Sequence, residues 1–237
     1  MYLDSFYQRQ QQQLHITPEQ GSRFAKEIAG DFNPLHDAHS KRFCVPGDLL
    51  FSLLLSTQGL AQQMQVKYTG MVGKETPLFL PHSSAEIFEL LDANQKSYLQ
   101  VKRRGTISHD AQLIERFARA YVAFSGLSFP DLLVPLMEKH SVMINPERPM
   151  VVYDSMEFDL AHTTLVEPQL ELSHHQLEVN GKRGLVTLEF TISDQNQPIG
   201  KGCKRMTLGG LRDYNPQQMQ QLVDLYQQSK KNYAKVA

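Results

Sequence analysis

The sequence predicts an α+β protein, and three observations carry that reading. A well-capped helix lies near the N-terminus, a second helix is apolar on nearly every face, and two runs of strand-like segments are punctuated by turn residues. Thr17-Pro18-Glu19-Gln20 opens the first helix, with Thr17 as N-cap, Pro18 at the first helical position and Gln20 closing a capping box. Phe24, Ala25 and Ile28 give it an apolar stripe, and Gly30 is placed to end it, because glycine tolerates the left-handed C-terminal geometry.

The second helix is expected over 48–65, directly after Val45-Pro46-Gly47. Leu49, Leu50, Phe51, Leu53, Leu54, Leu55, Leu60, Ala61 and Met64 leave it almost no polar face, so it should be buried on most sides. Gly59 inside that span points to a tight crossing against another element.

Beyond Pro81 the pattern turns to strands, expected over 84–91, 97–106 and 112–125, with Asn94, Gly105 and Ser108-His109-Asp110 as turn signals. The last of these has helical propensity but follows two strands, and that context favours a long strand. A short helix is expected over 130–140 and a linker over 145–149. A second strand-rich region covers 151–159, 169–179, 184–193 and 198–208, with hairpin turns at Asn180-Gly181 and Asp194-Gln195-Asn196. The tail over 216–233 reads as a Gln-rich amphipathic helix with Met219, Leu222, Val223 and Tyr226 on one face. Both halves end in antiparallel strands. The expectation is therefore two similar α+β units, residues 1–130 and 131–237, with the boundary near 130–150.

Composition removes several classes of function. A formal charge of −1 gives no overall attraction to nucleic acid or an anionic membrane. The most apolar window, 49–55, falls far short of the roughly 20 residues that a membrane span needs. Cys44 and Cys203 lie far apart and make no framework of disulfide or metal spacing, which leaves at most a single bridge, and the start lacks a secretory pattern, so a cytoplasmic protein is expected. The Gln10–Gln13 run reads as a surface feature. There is no P-loop, nucleophile elbow or zinc-protease helix, and Gly200-Lys201-Gly202 lacks the rest of a dinucleotide fingerprint, so no cofactor is expected.

The run Gly30-Asp31-Phe32-Asn33-Pro34-Leu35-His36 sets a carboxylate and an imidazole on a proline-held bend after a helix. Such a bend suits acid–base chemistry, because a histidine titrates near neutral pH; it also suits a well-capped turn with no chemistry. Asp31, His36, Asp37 and His39 admit a metal-site reading, but no second cluster completes a ligand spacing, and no metal is expected. His174-His175 would face opposite sides of a strand. His82, His109 and His162 read as turn or surface residues. Lys102-Arg103-Arg104 reads as a solvated strand end, with coenzyme A phosphates as its functional alternative.

The Gly30–His36 run resembles the hydratase motif of the MaoC-like, (R)-specific enoyl-CoA hydratases, a family with the hot-dog fold, in which an antiparallel sheet wraps a long helix. The likeness extends to Gly47, which matches the glycine that opens that helix. The chain also looks like a group of uncharacterised bacterial proteins of similar length. It departs from the family pattern in a shorter connection from His36 to Gly47, in Pro46 where a histidine is usual, and in Ala38 where an aspartate is usual.

The resemblance implies two hot-dog units and hydration of a trans-2-enoyl-CoA or enoyl-ACP. Asp31 and His36 would hold and activate water, Asn33 would steady the loop or the water, and the Gly47 N–H would polarise the thioester carbonyl. The partner is then an acyl thioester, with no nucleic acid and no membrane. The units would pair within one chain, with a homodimer as a further option. The alternatives are a non-catalytic acyl-thioester binding or sensing protein, motivated by the short His36–Gly47 connection, and a scaffold that keeps the motif only as a turn.

Overall fold

A computed structural model of the chain describes residues 2–11, 13–79, 84–126 and 129–234. In chain order the elements begin β1 (Gln8–Gln10), β2 (Gln13–His15), α1 (Pro18–Phe24), α2 (Gly47–Gln58), β3 (Leu60–Tyr68), β4 (Leu78–Phe79), β5 (Ile87–Asp92) and β6 (Ser97–Ser108). They continue with α3 (Ala111–Gly126), α4 (Leu133–Lys139), β7 (Val142–Met143), β8 (Val151–Leu160), β9 (Pro168–Asn180), β10 (Arg183–Asp194), β11 (Gln197–Gly209), β12 (Arg212–Asp213) and α5 (Pro216–Ala234).

Among the described residues, ten strands form one antiparallel sheet in the order β1-β2-β4-β5-β6-β3-β8-β11-β10-β9. The first six come from the N-terminal half and the last four from the C-terminal half. The two sets join where β3 pairs β8, with Gln63 opposite Asp159 and Lys67 opposite Ser155.

Helix α2 lies in the middle of the larger core. Leu49, Phe51, Leu54 and Leu55 show no solvent exposure at all. Burial of each such side chain contributes roughly 1.5–3 kcal/mol, so this apolar helix is fixed from every side. It ends at Gln58, and Leu60, Ala61 and Met64 belong to β3, where a helix over 48–65 was expected. The cause is Gly59, whose φ of 85° breaks the helix and whose missing Cβ leaves room for Ile107 at 2.6 Å. The tight crossing is present, but it marks the helix end.

The larger departure is 112–125, which is helix α3 and no strand. Its buried residues Leu113, Ile114, Phe117, Ala118, Tyr121, Val122 and Ser125 repeat with the helical period, not the strand period. Asp110, read as a turn residue, caps the helix by accepting from the N–H groups of Gln112 (2.9 Å) and Leu113 (3.0 Å). The strand expectation rests on the two strands that precede the segment, and its helical propensity and period outweigh that context.

Other local expectations match. The Thr17–Gln20 capping box is formed in both directions, and α1 runs on through a wider turn over 25–29 to Gly30, which has a φ of 64°. The four C-terminal strands and their hairpins stand where the turn residues placed them, with Gly181, Gln195 and Asn196 all at positive φ. Helix α5 covers 216–234 with Met219 and Tyr226 buried. Gln12 and His82 lie outside the described residues. No helix among the described residues is long and apolar enough to cross a membrane.

Candidate functional site

The bend after α1 is organised by its own side chains. Asp31 Oδ1 accepts from the Asn33 N–H at 2.9 Å, and Asn33 Oδ1 accepts from the Leu35 N–H at 3.1 Å, two successive side-chain turns. Pro34–His36 then forms one tight helical turn. Asn33 Nδ2 reaches across to the Val151 carbonyl on β8 at 3.3 Å, so both ends of its amide are committed to holding the loop.

His36 lies in the turn with its ring orientation set by the backbone. Its Nδ1 is 2.7 Å from the Cys44 carbonyl oxygen, which only accepts, so Nδ1 carries the proton and Nε2 presents a lone pair when the ring is neutral. Nε2 lies 3.7 Å from Asp31 Oδ2, too far for a direct hydrogen bond. Two acceptors at that separation can share one water, which donates a proton to each. Asp37 is turned away into an ion pair with Lys26 at 2.8 Å. No group of three or more His, Cys, Asp or Glu among the described residues is arranged to hold a metal ion.

Asp31, Asn33, His36 and Gly47 all line one cavity of about 130 Å³ between the motif loop, the start of α2 and β8. Gly47 is needed there sterically. A Cβ would come within 2.6 Å of the Tyr153 ring and 3.0 Å of the Tyr68 ring, and those rings meet edge to face at 5.7 Å. Helix α2 has no side-chain cap, and its first residue, Gly47, lines this space, while the Leu49 and Leu50 N–H groups turn back to the Pro46 carbonyl at 3.1 and 3.2 Å. Cys44 also lines the cavity, but burial pushes its thiol up to about 11, and it stands there as a thiol, not a thiolate nucleophile.

Behind this cavity lies a polar cluster that the sequence reading did not single out. Asp48, Ser125 and Lys204 are each at most 2% exposed. Ser125 Oγ donates toward the Asp48 carboxylate, at 2.9 Å from Oδ1 and 2.7 Å from Oδ2. Lys204 Nζ donates to Ser125 Oγ at 2.6 Å, and the Tyr153 hydroxyl lies 2.8 Å from Asp48 Oδ2 and 2.7 Å from Ser125 Oγ. The Lys204 ammonium also sits 3.8 Å over the Tyr153 ring.

Burial raises the Asp48 carboxyl above its ordinary range, against the pull of Lys204, Ser125 and Tyr153. Burial also brings Lys204 down to about 8, against the opposing charges of Asp48 and Asp31. Both directions disfavour the charged forms. The available signal was phase: Lys204 alternates with the buried Met206 and Leu208 along β11, and a lysine in an apolar phase marks a special site.

Lys102-Arg103-Arg104 divides between the two faces of β6. Arg103 is buried and donates to the carbonyls of Gln58 (2.6 Å) and Ala85 (3.2 Å), whereas Lys102 and Arg104 are exposed, and all three border an open trough of about 800 Å³ over the central strands. Arg103 thereby ties β6 to the carbonyl end of α2.

An α+β chain with an antiparallel sheet against a buried helix, and a cavity where carboxylate, imidazole and helix N-terminus converge, defines the class. Over residues 1–217 the chain matches the model of the family described as Protein of unknown function (DUF3581), and it belongs to that family. No curated protein matches it. Among solved structures it is similar to an acyl-CoA thioesterase II, TesB2, from Mycobacterium marinum, with 10% identity, 72% of this chain and 91% of that chain covered, and a TM-score of 0.44. It is also similar to a MaoC-like dehydratase, with 8% identity, 86% and 98% covered, and a TM-score of 0.43.

Proposed function

We propose that this chain processes acyl thioesters, and that its reaction is the addition of water to a trans-2-enoyl-CoA or enoyl-ACP, or the reverse. The observation that carries the reading is the tautomer of His36. With Nδ1–H tied to the Cys44 carbonyl, Nε2 faces Asp31 Oδ2 across 3.7 Å inside a cavity. A water held between them donates one proton to each acceptor and directs a lone pair outward. Attack of that oxygen on the β-carbon moves the water's proton to the Asp31–His36 pair, which returns one to the α-carbon. The developing enolate oxygen meets the N–H groups at the start of α2, where the helix dipole favours negative charge.

The same reading treats the chain as two hot-dog units, residues 1–130 and 131–237, paired within one chain. The β3–β8 ladder, which joins six N-terminal to four C-terminal strands, supports that pairing. Helix α3 complicates a sharp boundary, because Phe117 packs against Phe158 of β8, and Tyr121 packs against both Phe51 of α2 and Phe190 of β10.

One observation favours the second reading, a protein that binds an acyl thioester without turning it over. A cavity of about 130 Å³ is close to the roughly 150 Å³ that accepts a benzene, so only a short part of an acyl chain enters it as it stands. Crotonyl-CoA hydration by the wild type, Asp31→Asn and His36→Ala decides between the two. Turnover in the wild type that is lost in both variants supports the hydratase. Thioester binding without turnover at any chain length leaves the binding protein, and neither binding nor turnover removes both.

A further inference from the structure

Ser125 lines the same cavity as Asp31, His36 and Gly47, and its hydroxyl is bonded to Asp48, Tyr153 and Lys204 of the buried cluster. Asp48 and Lys204 form no direct ion pair among the described residues; the serine oxygen stands between them, 2.7 Å from Oδ2 and 2.6 Å from Nζ. Two buried charges that served only to neutralise each other would gain most from direct contact. Here the hydroxyl of a cavity-lining residue is interposed, with the lysine nitrogen on one side and a carboxylate on the other. We propose that Ser125 is an acyl-accepting nucleophile, with Lys204 as its base, so that the chain also hydrolyses acyl thioesters through an O-acyl-serine. This inference rests on the reading that the cavity takes acyl thioesters.

The arrangement activates the serine by a short relay. Lys204 Nζ passes a proton to Ser125 Oγ as the serine proton passes to Asp48, which leaves a neutral amine and a neutral carboxyl. Burial shifts both groups toward that uncharged pair, so it is within reach when the serine reacts, while below about pH 8 the lysine rests as the cation. Ser125 Oγ then bonds to the thioester carbonyl carbon while its proton goes to Lys204 Nζ. The carbon–sulfur bond breaks, and the sulfur leaves with that proton as a free thiol. The N–H groups at the start of α2 stabilise the transient oxyanion.

Water between Asp31 and His36 completes the cycle. Its oxygen bonds to the acyl carbon, its proton goes to His36 Nε2, and Ser125 Oγ leaves and recovers a proton from that imidazolium. The products are a carboxylic acid and a thiol, and no oxidant or cofactor is required. Tyr153, with its hydroxyl 2.7 Å from Ser125 Oγ and 2.8 Å from Asp48 Oδ2, positions the serine.

Butyryl-CoA tests this, because a saturated chain cannot be hydrated. The wild type should release free thiol, and Ser125→Ala should reduce that release at least about 100-fold. His36→Ala should accumulate one butyryl group on the peptide that contains Ser125, since the water that removes it is no longer held. Ser125→Cys controls for folding and should carry the same adduct as a thioester. If butyryl-CoA binds by calorimetry but neither the wild type nor His36→Ala gains an adduct, the nucleophile is overturned and the hydratase reading stands. If butyryl-CoA does not bind, the thioester reading itself fails. A fluorophosphonate probe then decides for the serine: labelling of Ser125 supports the nucleophile, and an unlabelled Ser125 overturns it.

Discussion

The motif loop and the buried cluster hold the same kinds of group by opposite means. In the loop, Asp31 and His36 are five residues apart, partly exposed, and fixed by backbone partners within the same bend or just after it. In the cluster, Asp48, Ser125, Tyr153 and Lys204 come from α2, α3, β8 and β11 and depend on the assembled fold for every contact. The loop should therefore lose chemistry at little cost in stability when altered, whereas the cluster should lose stability along with the chemistry proposed for it.

The largest effect is expected at Asp31. Asp31→Asn keeps an oxygen for the Asn33 N–H, so the turn survives, but a neutral amide is a poor acceptor for a water proton. Hydration of crotonyl-CoA should fall by about 10²–10⁴-fold, with the thermal midpoint nearly unchanged. A fall in midpoint as large as that of a core variant would place Asp31 with the cluster and erase the contrast.

The mirror case is Lys204→Met. It leaves Asp48 buried without its cation and should cost about 3–5 kcal/mol by urea unfolding. Adding Asp48→Asn should recover a substantial part of that loss, because the stranded charge is removed; equal losses in the single and double variants would break the argument. pH gives an independent reading. Lys204 falls from its ordinary 10.5 to about 8 in the folded chain, so the unfolded chain binds more protons between those values. The cost of burying the cation is present in full below about 8 and is relieved as pH rises toward 10.5. Asp48 is shifted upward from 3.8, so its contribution to stability declines as pH rises through its folded value. In Lys204→Met the alkaline gain should vanish.

The same contrast explains what could be read from the chain. Thr17, Pro18 and Gln20 announce a helix start because the capping bonds span three residues, and Gly30 announces its end because one φ decides it. The Asp31–His36 geometry is legible for the same reason. Ile114–Phe124 is harder: its propensity suits a helix, but the two strands before it suggest a third, and the spacing of the buried residues, together with Asp110 as cap, reveals α3. The cluster is not legible at all as a cluster. Ser125 meets Lys204 only because α3 packs between α2 and the C-terminal strands, which no local pattern encodes.

Gly47 lies where the two regions touch, so Gly47→Ala probes both. Its Cβ would press on the Tyr153 ring at 2.6 Å and the Tyr68 ring at 3.0 Å, and one of them must shift. A cost of about 1–3 kcal/mol is expected by thermal or urea unfolding, together with weaker thioester binding as the Tyr153 ring is pushed into the cavity. Unchanged binding with lost stability would mean that the rings yield away from the cavity.

The smallest effect comes from α5, which begins as the family match ends and braces the loop from outside. The Tyr226 hydroxyl accepts from the Phe32 N–H at 3.3 Å and donates to the Gly30 carbonyl at 3.2 Å, while its ring packs edge to face on Phe32 at 5.9 Å. Tyr226→Phe keeps the ring contact and removes both hydrogen bonds, so about 0.5–1.5 kcal/mol should be lost. The loss should be local. The Phe32 amide should exchange its hydrogen faster, the α2 amides should keep their protection, and hydration should fall less than about tenfold, in proportion to a loosened loop. Faster exchange throughout α2 would mean that the loop and the buried cluster are one cooperative unit, and the division between a locally held loop and a cluster held by the assembled fold would then have to be given up.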